Sequence, residues 1–263
     1  MTKAFLIDID KCTGCYDCQI GCKDEHCGND WSPIAKPQPL IGQFWCKINE
    51  YERGQKPHVK VTYIPVLGGQ NEEIAKYAPE VLMPREDGLI VIDPEKAVGR
   101  KDIAEKFEGV YWNEELQIPQ ACTGCAHLID DPDSPIRTPR CVDNCPVDVI
   151  QFGEEEDLDL EGAAPLNASW GEKTHVYYKG LPKKFIRGTV YCPEAKEVVI
   201  GAKVTATCAE GTFEDTTNDW GDFYLKNLPD AEFKLVIEKD GKKVEMEVST
   251  VEKDLGLPDI ALA

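Results

Sequence analysis

Eight of the twelve cysteines fall into two groups whose spacing is typical of metal ligation. Gaps of two, two and three residues separate the members of the first group, Cys12, Cys15, Cys18 and Cys22. The second group has a longer gap in its middle and ends on Cys-Pro; its members are Cys122, Cys125, Cys141 and Cys145. Cysteines two residues apart on a turn can converge on one metal centre, whereas disulfide frameworks occur mostly in small secreted domains. The pattern therefore predicts thiolate ligands.

The first spacing matches the bacterial ferredoxin run, in which three cysteines bind one four-iron cluster and the fourth binds its neighbour. This cross-ligation predicts one [4Fe–4S] cluster held by Cys12, Cys15, Cys18 and Cys145. A second [4Fe–4S] cluster is then held by Cys22, Cys122, Cys125 and Cys141. A pair of tetrahedral zinc sites is the alternative, since Cys-x2-Cys pairs also bind zinc. The run of four that ends on a gap of three residues favours the clusters.

Glycine stands between the first two ligands of each group, at Gly14 and Gly124. A missing side chain lets backbone N–H groups approach sulfur, although both glycines also suit a plain turn. Outside the groups, Cys27 and Cys46 lack partners at ligand spacing and are interpreted as buried thiols. The four histidines are scattered along the chain and are interpreted as structural: His26, His58, His127 and His175. Among them His127, which lies beside the second cysteine loop, is the best candidate for a functional role.

The elements that position these groups are short. Residues 1–152 read as a loop-rich α+β ferredoxin-like domain, with β-type runs at Ala4–Ile9 and Leu89–Asp93. Residues 153–187 read as a connecting arm that opens on the acidic run Glu154–Asp157. Its later part, Thr174–Ile186, is more apolar and packs either along a partner or on its own domain.

Residues 188–263 change to short alternating runs separated by turns that contain Gly, Asp, Asn and Pro. This pattern predicts an all-β immunoglobulin-like sandwich, and it resembles the carboxypeptidase-regulatory-like or Cna-B-like modules. Cys192 and Cys208 lie on strands predicted to be adjacent and could pair, although a reducing compartment favours thiols. The predicted strands are Gly188–Cys192, Ala202–Cys208, Phe223–Leu225, Phe233–Glu238 and Lys243–Val248.

A degenerate internal repeat is predicted in the first domain. Ile7–Cys15 aligns with Ile92–Arg100 at a constant offset, with the Lys and Gly positions retained. Chance similarity is the alternative, because segments in which a turn follows a strand often share these residue types. Extending the offset puts four residues without thiols where the first cysteine group stands: Ala97, Arg100, Ile103 and Phe107. A second ferredoxin unit that has lost its iron is the interpretation we prefer.

Composition limits the partners. The 263 residues carry a formal net charge of −19, which disfavours a nucleic-acid partner because phosphate binding needs a basic surface. No run approaches the roughly 18 apolar residues of a membrane span, and the start lacks the pattern of a signal peptide. We therefore expect a cytoplasmic protein, although export bound to a signal-bearing partner is an alternative.

Residues beside the cysteines carry a family resemblance. Ala126–Asp131 follows Cys125, and the second group closes on Arg140-Cys141 through Cys145-Pro146. Over most of residues 1–152 this pattern resembles the iron–sulfur subunits of the dimethyl-sulfoxide-reductase superfamily. More narrowly, nearly the whole chain resembles the small subunits of pyrogallol–phloroglucinol transhydroxylases, in the C-terminal β-module and in Arg85–Gly88, Ile92–Lys96 and Tyr111–Glu115.

The resemblance implies a large catalytic partner that carries molybdenum, or tungsten, on molybdopterin guanine dinucleotide and acts on polyhydroxylated aromatics. It implies a heterodimer or a multiple of one, in which this chain is not catalytic alone. The family's additional cysteines for a third cluster are missing from Leu67–Gln70 and Phe107–Gly109, so we expect two clusters. The small subunit of a resorcinol hydroxylase or of a catechol dehydroxylase would look much the same. Two other functional classes are alternatives. One is a free-standing ferredoxin-like electron carrier, and the other is a scaffold protein in which the clusters only stabilise a loop-rich domain.

Overall fold

The computed structural model describes residues 2–166 and 174–263. The chain divides into two compact units. The first comprises Met1–Glu50 and Tyr63–Leu181, and the second comprises Tyr51–Thr62 and Pro182–Ala263. Residues 167–173, which fall in the predicted connecting arm, lie outside the described residues. Among the helices of the described ranges, none is long and apolar enough to cross a membrane.

The first unit is built from short strands with few and short helices. Its strands, two of which also reach into the second unit, are β1 (Lys3–Asp8), β2 (Cys46–Gln55), β3 (His58–Leu67), β4 (Tyr111–Asn113), β5 (Ile118–Gln120), β6 (Ile150–Glu154) and β7 (Val176–Lys179). Its helices are α1 (Asp17–His26), α2 (Glu72–Tyr77), α3 (Lys101–Lys106), α4 (Ala126–Asp130) and α5 (Arg140–Asp143). Single 3-10 turns occupy Ile9–Lys11, Pro79–Val81 and Glu155–Asp157.

Strand β1 is the centre of a three-stranded sheet and positions two cysteine segments at once. It pairs antiparallel with β6, where Ile7 faces Ile150, and parallel with β7, where Phe5 faces Val176. A central strand covered on both faces is apolar throughout, which explains the continuous buried run of β1. The chain leaves β1 through one 3-10 turn to reach Cys12, and it enters β6 soon after Cys145. The β1–β6 pairing therefore brings the two ends of the cysteine pattern together.

Helix α1 carries ligand candidates on its buried face. Its buried residues follow helical spacing and include Cys18, Cys22, Glu25 and His26. Gly21 lies on the same face, and a Cβ atom there would overlap the side-chain nitrogen of Asn144, which directly follows α5. Because glycine removes this clash, α1 and α5 approach closely, and Cys22 is carried towards Cys141.

The predicted strand at Leu89–Asp93 is wrong. Only Ile92 makes a β-bridge there, an isolated one to Leu82. The apolar side chains of this segment are instead buried in the loop-rich interior, where Leu89 and Val91 are 3% and 0% exposed. The predicted repeat itself stays a prediction, although Gly14 and Gly99 both have positive φ and a helix follows each loop.

The second unit contains two sheets with alternating buried and exposed residues. Its strands are β8 (Lys184–Cys192), β9 (Glu197–Val198), β10 (Lys203–Cys208), β11 (Gly211–Thr216), β12 (Asp222–Leu228), β13 (Glu232–Lys239), β14 (Lys242–Ser249), β15 (Leu255–Gly256) and β16 (Ile260–Ala261). One sheet has the order β11-β10-β13-β14, and the other is built around β8. An apolar cluster that includes Val190, Val204, Phe223 and Leu235 forms the core. The predicted β-sandwich is confirmed, and all five predicted strands lie within or close to observed ones.

Two details of the second unit differ from expectation. Strand β8 begins at Lys184, so a boundary at residue 188 would cut through it; the division into 1–152, 153–187 and 188–263 stays a prediction. Cys192 and Cys208 lie on β8 and β10, which belong to different sheets and are not neighbours. Both are free thiols. The predicted adjacency of the two strands is wrong because alternation of buried and exposed residues does not specify which strands pair.

Candidate metal centres

The first set of four predicted ligands lines one cavity. The cavity is partly open to solvent, and apolar residues such as Val149 and Ile150 complete its wall. Cys15 is exposed, Cys18 is buried, and the other two thiols of the set are half-buried. The four cysteines at this cavity are Cys12, Cys15, Cys18 and Cys145. The structure thus brings together residues that the cross-ligated pattern assigns to one cluster, and their role as ligands stays a prediction.

Backbone geometry directs N–H groups at the sulfur atoms, as expected for Gly14 and Gly124. Gly14 has φ 69°, and a Cβ atom there would lie 2.6 Å from the Tyr63 ring, so both conformation and space require glycine. Its N–H donates to Cys12, while burial raises the pKa of the Cys12 thiol. The N–H of Gly124 lies 3.4 Å from the sulfur of Cys122, and the N–H of Val149 lies 3.2 Å from that of Cys145.

The second set of four predicted ligands is buried. Its members come from α1, from the loop after β5 and from α5, and they are Cys22, Cys122, Cys125 and Cys141. Burial raises the pKa of the Cys22 thiol well above its usual range, and the proximity of the other three raises it further. Burial also raises the pKa of Cys122 to about 12. Buried thiols that lie this close together deprotonate readily only when a positively charged centre binds the thiolates. Metal binding here would therefore release protons.

A fifth thiol lies between the two sets. Cys46 on β2 is 1% exposed, and its sulfur is within hydrogen-bonding reach of Cys141 and Cys18. These contacts and burial raise the pKa of Cys46 well above its usual range, and the contact with Cys46 lowers the pKa of Cys18. The interpretation of Cys46 as a buried thiol is confirmed, but its location between the sets had no signal in the spacing. Cys27 is half-buried rather than buried.

Two histidines lie beside the second set. The Nε2 atom of His26 is 3.7 Å from the sulfur of Cys125, and His26 is 2% exposed. The ring of His127 stacks on Trp31, with 4.5 Å between centroids and an interplanar angle of 19°. The sequence indicated His127 through its place beside the cysteine loop, whereas it treated His26 as one of four scattered histidines. His175 is buried in the first unit, and His58 contacts the Thr189 hydroxyl within the second unit at 3.3 Å.

Glu25 joins three segments that carry predicted ligands, and we call Glu25, His127 and Arg140 the Glu25 bridge. Its carboxylate accepts hydrogen bonds from Nε2 of His127 at 3.1 Å and Nε of Arg140 at 2.5 Å. Burial by itself would raise the pKa of Glu25, but the two donors hold that pKa below its usual range. The bridge therefore ties α1 to α4 and α5 through a charged, nearly buried carboxylate. No pattern in the sequence marked it.

The predicted repeat positions hold apolar packing and surface charge. Ala97 and Ile103 are fully buried in a separate core cluster, and Phe107 packs against it. Arg100 pairs with Glu80 and Asp102 at the surface. Family members are expected to have further cysteines in two segments, Leu67–Gln70 and Phe107–Gly109. These segments approach closely here, as a Cβ atom on Gly68 would overlap the carbonyl oxygen of Gly109.

Each predicted set supplies four thiols, which is the number of cysteine ligands that a four-iron cluster takes. Within residues 2–166 and 174–263, no group of three or more His, Cys, Asp or Glu side chains is arranged to hold one metal ion. Backbone N–H groups donate to sulfur in both sets, and apolar residues surround the first set at its cavity and the second set in the core, which suits a cluster held by thiolates.

Known proteins give a clear match over the whole chain. The pyrogallol hydroxytransferase small subunit of Pelobacter acidigallici is 32% identical over 276 residues, which cover 98% of this chain and 98% of that relative. The chain belongs to this family of small subunits. One subunit of the anaerobic dimethyl sulfoxide reductase of Escherichia coli is 28% identical over 209 residues, covering 74% of this chain and 97% of the relative. The predicted resemblance to the iron–sulfur subunits of this superfamily is confirmed.

Two further comparisons add no constraint on the family. No family model matches the chain. Among solved structures, the shaft pilin SpaA of Lactobacillus rhamnosus matches 34% of the chain at 15% identity with a TM-score of 0.27. Family membership therefore follows from the sequence similarity.

Proposed function

We propose that this chain is the electron-transfer and structural subunit of a molybdopterin-dependent hydroxytransferase or hydroxylase that acts on polyhydroxylated aromatics. The observation that carries the proposal is the full-length similarity to the small subunit of pyrogallol hydroxytransferase, at 32% identity over 98% of both chains. The partner is a large catalytic subunit with molybdenum or tungsten on molybdopterin guanine dinucleotide. The complex is a heterodimer or a multiple of one, and it works in the cytoplasm.

In this proposal the first unit is a ferredoxin-like domain that holds two [4Fe–4S] clusters. One set of ligands is Cys12, Cys15, Cys18 and Cys145, which share a cavity. The other set is Cys22, Cys122, Cys125 and Cys141; burial, and then the proximity of the other three thiols, raises the pKa of Cys22. When bound, the clusters supply one-electron transfer. The residues of this chain hold them, exclude water from the buried set and direct backbone N–H groups at sulfur.

The metal content of the complex tests the ligand sets. We expect anaerobic purification to yield about eight iron and about eight acid-labile sulfide per chain, because eight cysteines satisfy two four-iron clusters. A large subunit should co-purify with the chain under gentle conditions. About twelve iron would mean that a third cluster has recruited other residues, and zinc in place of iron would support tetrahedral thiolate sites. Iron-loaded chain that purifies without any large subunit would instead support a free-standing carrier.

Turnover without an external electron carrier tests the reaction class. Since Ala97, Arg100, Ile103 and Phe107 replace thiols in the predicted second ferredoxin unit, the electron route is expected to end at the second cluster. A short route suits a transfer of hydroxyl between aromatics, which exports no net electrons. We expect the complete complex to convert trihydroxybenzenes anaerobically with no donor or acceptor added, and the same mixture without the complex is the control. Product that forms only when an electron carrier is supplied would replace this reaction with a hydroxylase or dehydroxylase.

A further inference from the structure

His26 occupies a buried position against a predicted ligand of the second cluster. Its Nε2 atom lies 3.7 Å from the sulfur of Cys125, and the side chain is enclosed by two aromatic rings. The ring centroids of Trp45 and His127 lie 4.5 Å and 5.2 Å from that of His26. Three neighbours thus define where the imidazole lies, and one of them is a thiol.

The surroundings of the two ring nitrogens of His26 indicate which of them is the donor. A neutral imidazole has one N–H donor and one nitrogen acceptor. Among the described residues Nδ1 has no hydrogen-bond partner, whereas Nε2 faces sulfur. Because a cluster-bound thiolate is an acceptor, the tautomer assigned by these neighbours carries its proton on Nε2.

The adjacent Glu25 bridge fixes the ring in place. Glu25 accepts hydrogen bonds from His127 and from Arg140. The His127 ring stacks on Trp31 and makes a T-shaped contact with His26. Because Glu25 directly precedes His26 on α1, its two hydrogen bonds anchor the helical turn that carries the imidazole. The donor to Cys125 is therefore preorganised.

We propose that His26 is a positioning residue that donates Nε2–H to the Cys125 thiolate and raises the reduction potential of the second cluster. A hydrogen bond to sulfur strengthens as reduction adds negative charge, so it favours the reduced cluster. The inference rests on the proposed function, because it needs the cluster that Cys22, Cys122, Cys125 and Cys141 would hold.

The test is an EPR-monitored redox titration of the anaerobically purified complex with three variants. His26→Leu removes the donor at similar volume, and it is expected to shift the reduction equilibrium of one cluster towards the oxidised form by about tenfold, or about 59 mV for one electron. His26→Gln retains an N–H donor, so the reduction potential of its second cluster should stay close to that of the wild-type complex. His175→Leu, at a buried histidine elsewhere in the first unit, should shift neither cluster.

The outcomes separate this inference from the proposed function. Wild-type complex without two clusters would overturn the proposed function, and this inference with it. Two loaded clusters whose potentials are unchanged in His26→Leu would overturn the inference alone. If His26→Leu fails to bind the second cluster, the wild-type complex labelled with ¹⁵N-histidine decides. Hyperfine coupling between an imidazole nitrogen and the reduced second cluster would support the inference, and the lack of any such coupling would overturn it.

Discussion

Replacing Cys145 by Ser is expected to remove the cluster whose other three ligands are Cys12, Cys15 and Cys18. The sequence separates Cys145 from them by most of the first unit, but the structure puts all four at one cavity. The β1–β6 pairing, with Ile7 opposite Ile150, is the physical link between the two segments. A serine hydroxyl is a poorer ligand for iron than thiolate, so about half of the iron should be lost.

Iron analysis and the EPR spectrum of the reduced protein measure this effect. Cys27→Ser is the matched control, because Cys27 is a half-buried thiol outside both sets and should leave both clusters intact. Since ligation and folding are linked, soluble yield of Cys145→Ser is also expected to fall. The cross-ligated assignment is wrong if only the cluster of Cys22, Cys122, Cys125 and Cys141 disappears.

Replacing Glu25 by Ala is expected to destabilise the complex and empty the second cluster. The carboxylate is 7% exposed, and its loss leaves Arg140 and His127 without their acceptor. Breaking a buried ion pair costs about 3–5 kcal/mol, and we expect the lower end because 29% of the Arg140 side chain remains exposed. The segments that carry Cys125 and Cys141 would also lose their tie to α1.

Thermal unfolding of the holo-complex and its iron content measure this effect. A loss of about 3 kcal/mol corresponds to a fall of roughly 6–12 °C in the unfolding midpoint for a unit of this size. Glu25→Gln retains an acceptor and should give a smaller fall. Glu245→Ala removes an exposed carboxylate that pairs with Lys234 and Lys243, and it should leave midpoint and iron unchanged. Unchanged iron and an unchanged midpoint in Glu25→Ala would contradict a stabilising role for the bridge.

The local pattern of apolar residues predicted strands correctly wherever a short segment of the chain determines its own secondary structure. The alternating runs predicted the strands of the second unit because burial on one sheet face imposes a period of two. The buried run Ala4–Ile9 likewise predicted β1. The same reasoning failed at Leu89–Asp93, where the apolar residues are buried in two core clusters although the segment forms no strand.

The sequence by itself determined the two cysteine groups, the turns at Gly14 and Gly124, and the family, because ligand spacing and turn glycines are local properties of the chain. Only the tertiary structure decided that Cys46 lies between the two sets, that His26 faces Cys125 and that Glu25 joins three segments. Each of these contacts depends on how α1, β2, α4 and α5 pack, and no residue type or spacing encodes such packing. A buried carboxylate or histidine is recognisable as part of a site only when its partners are known.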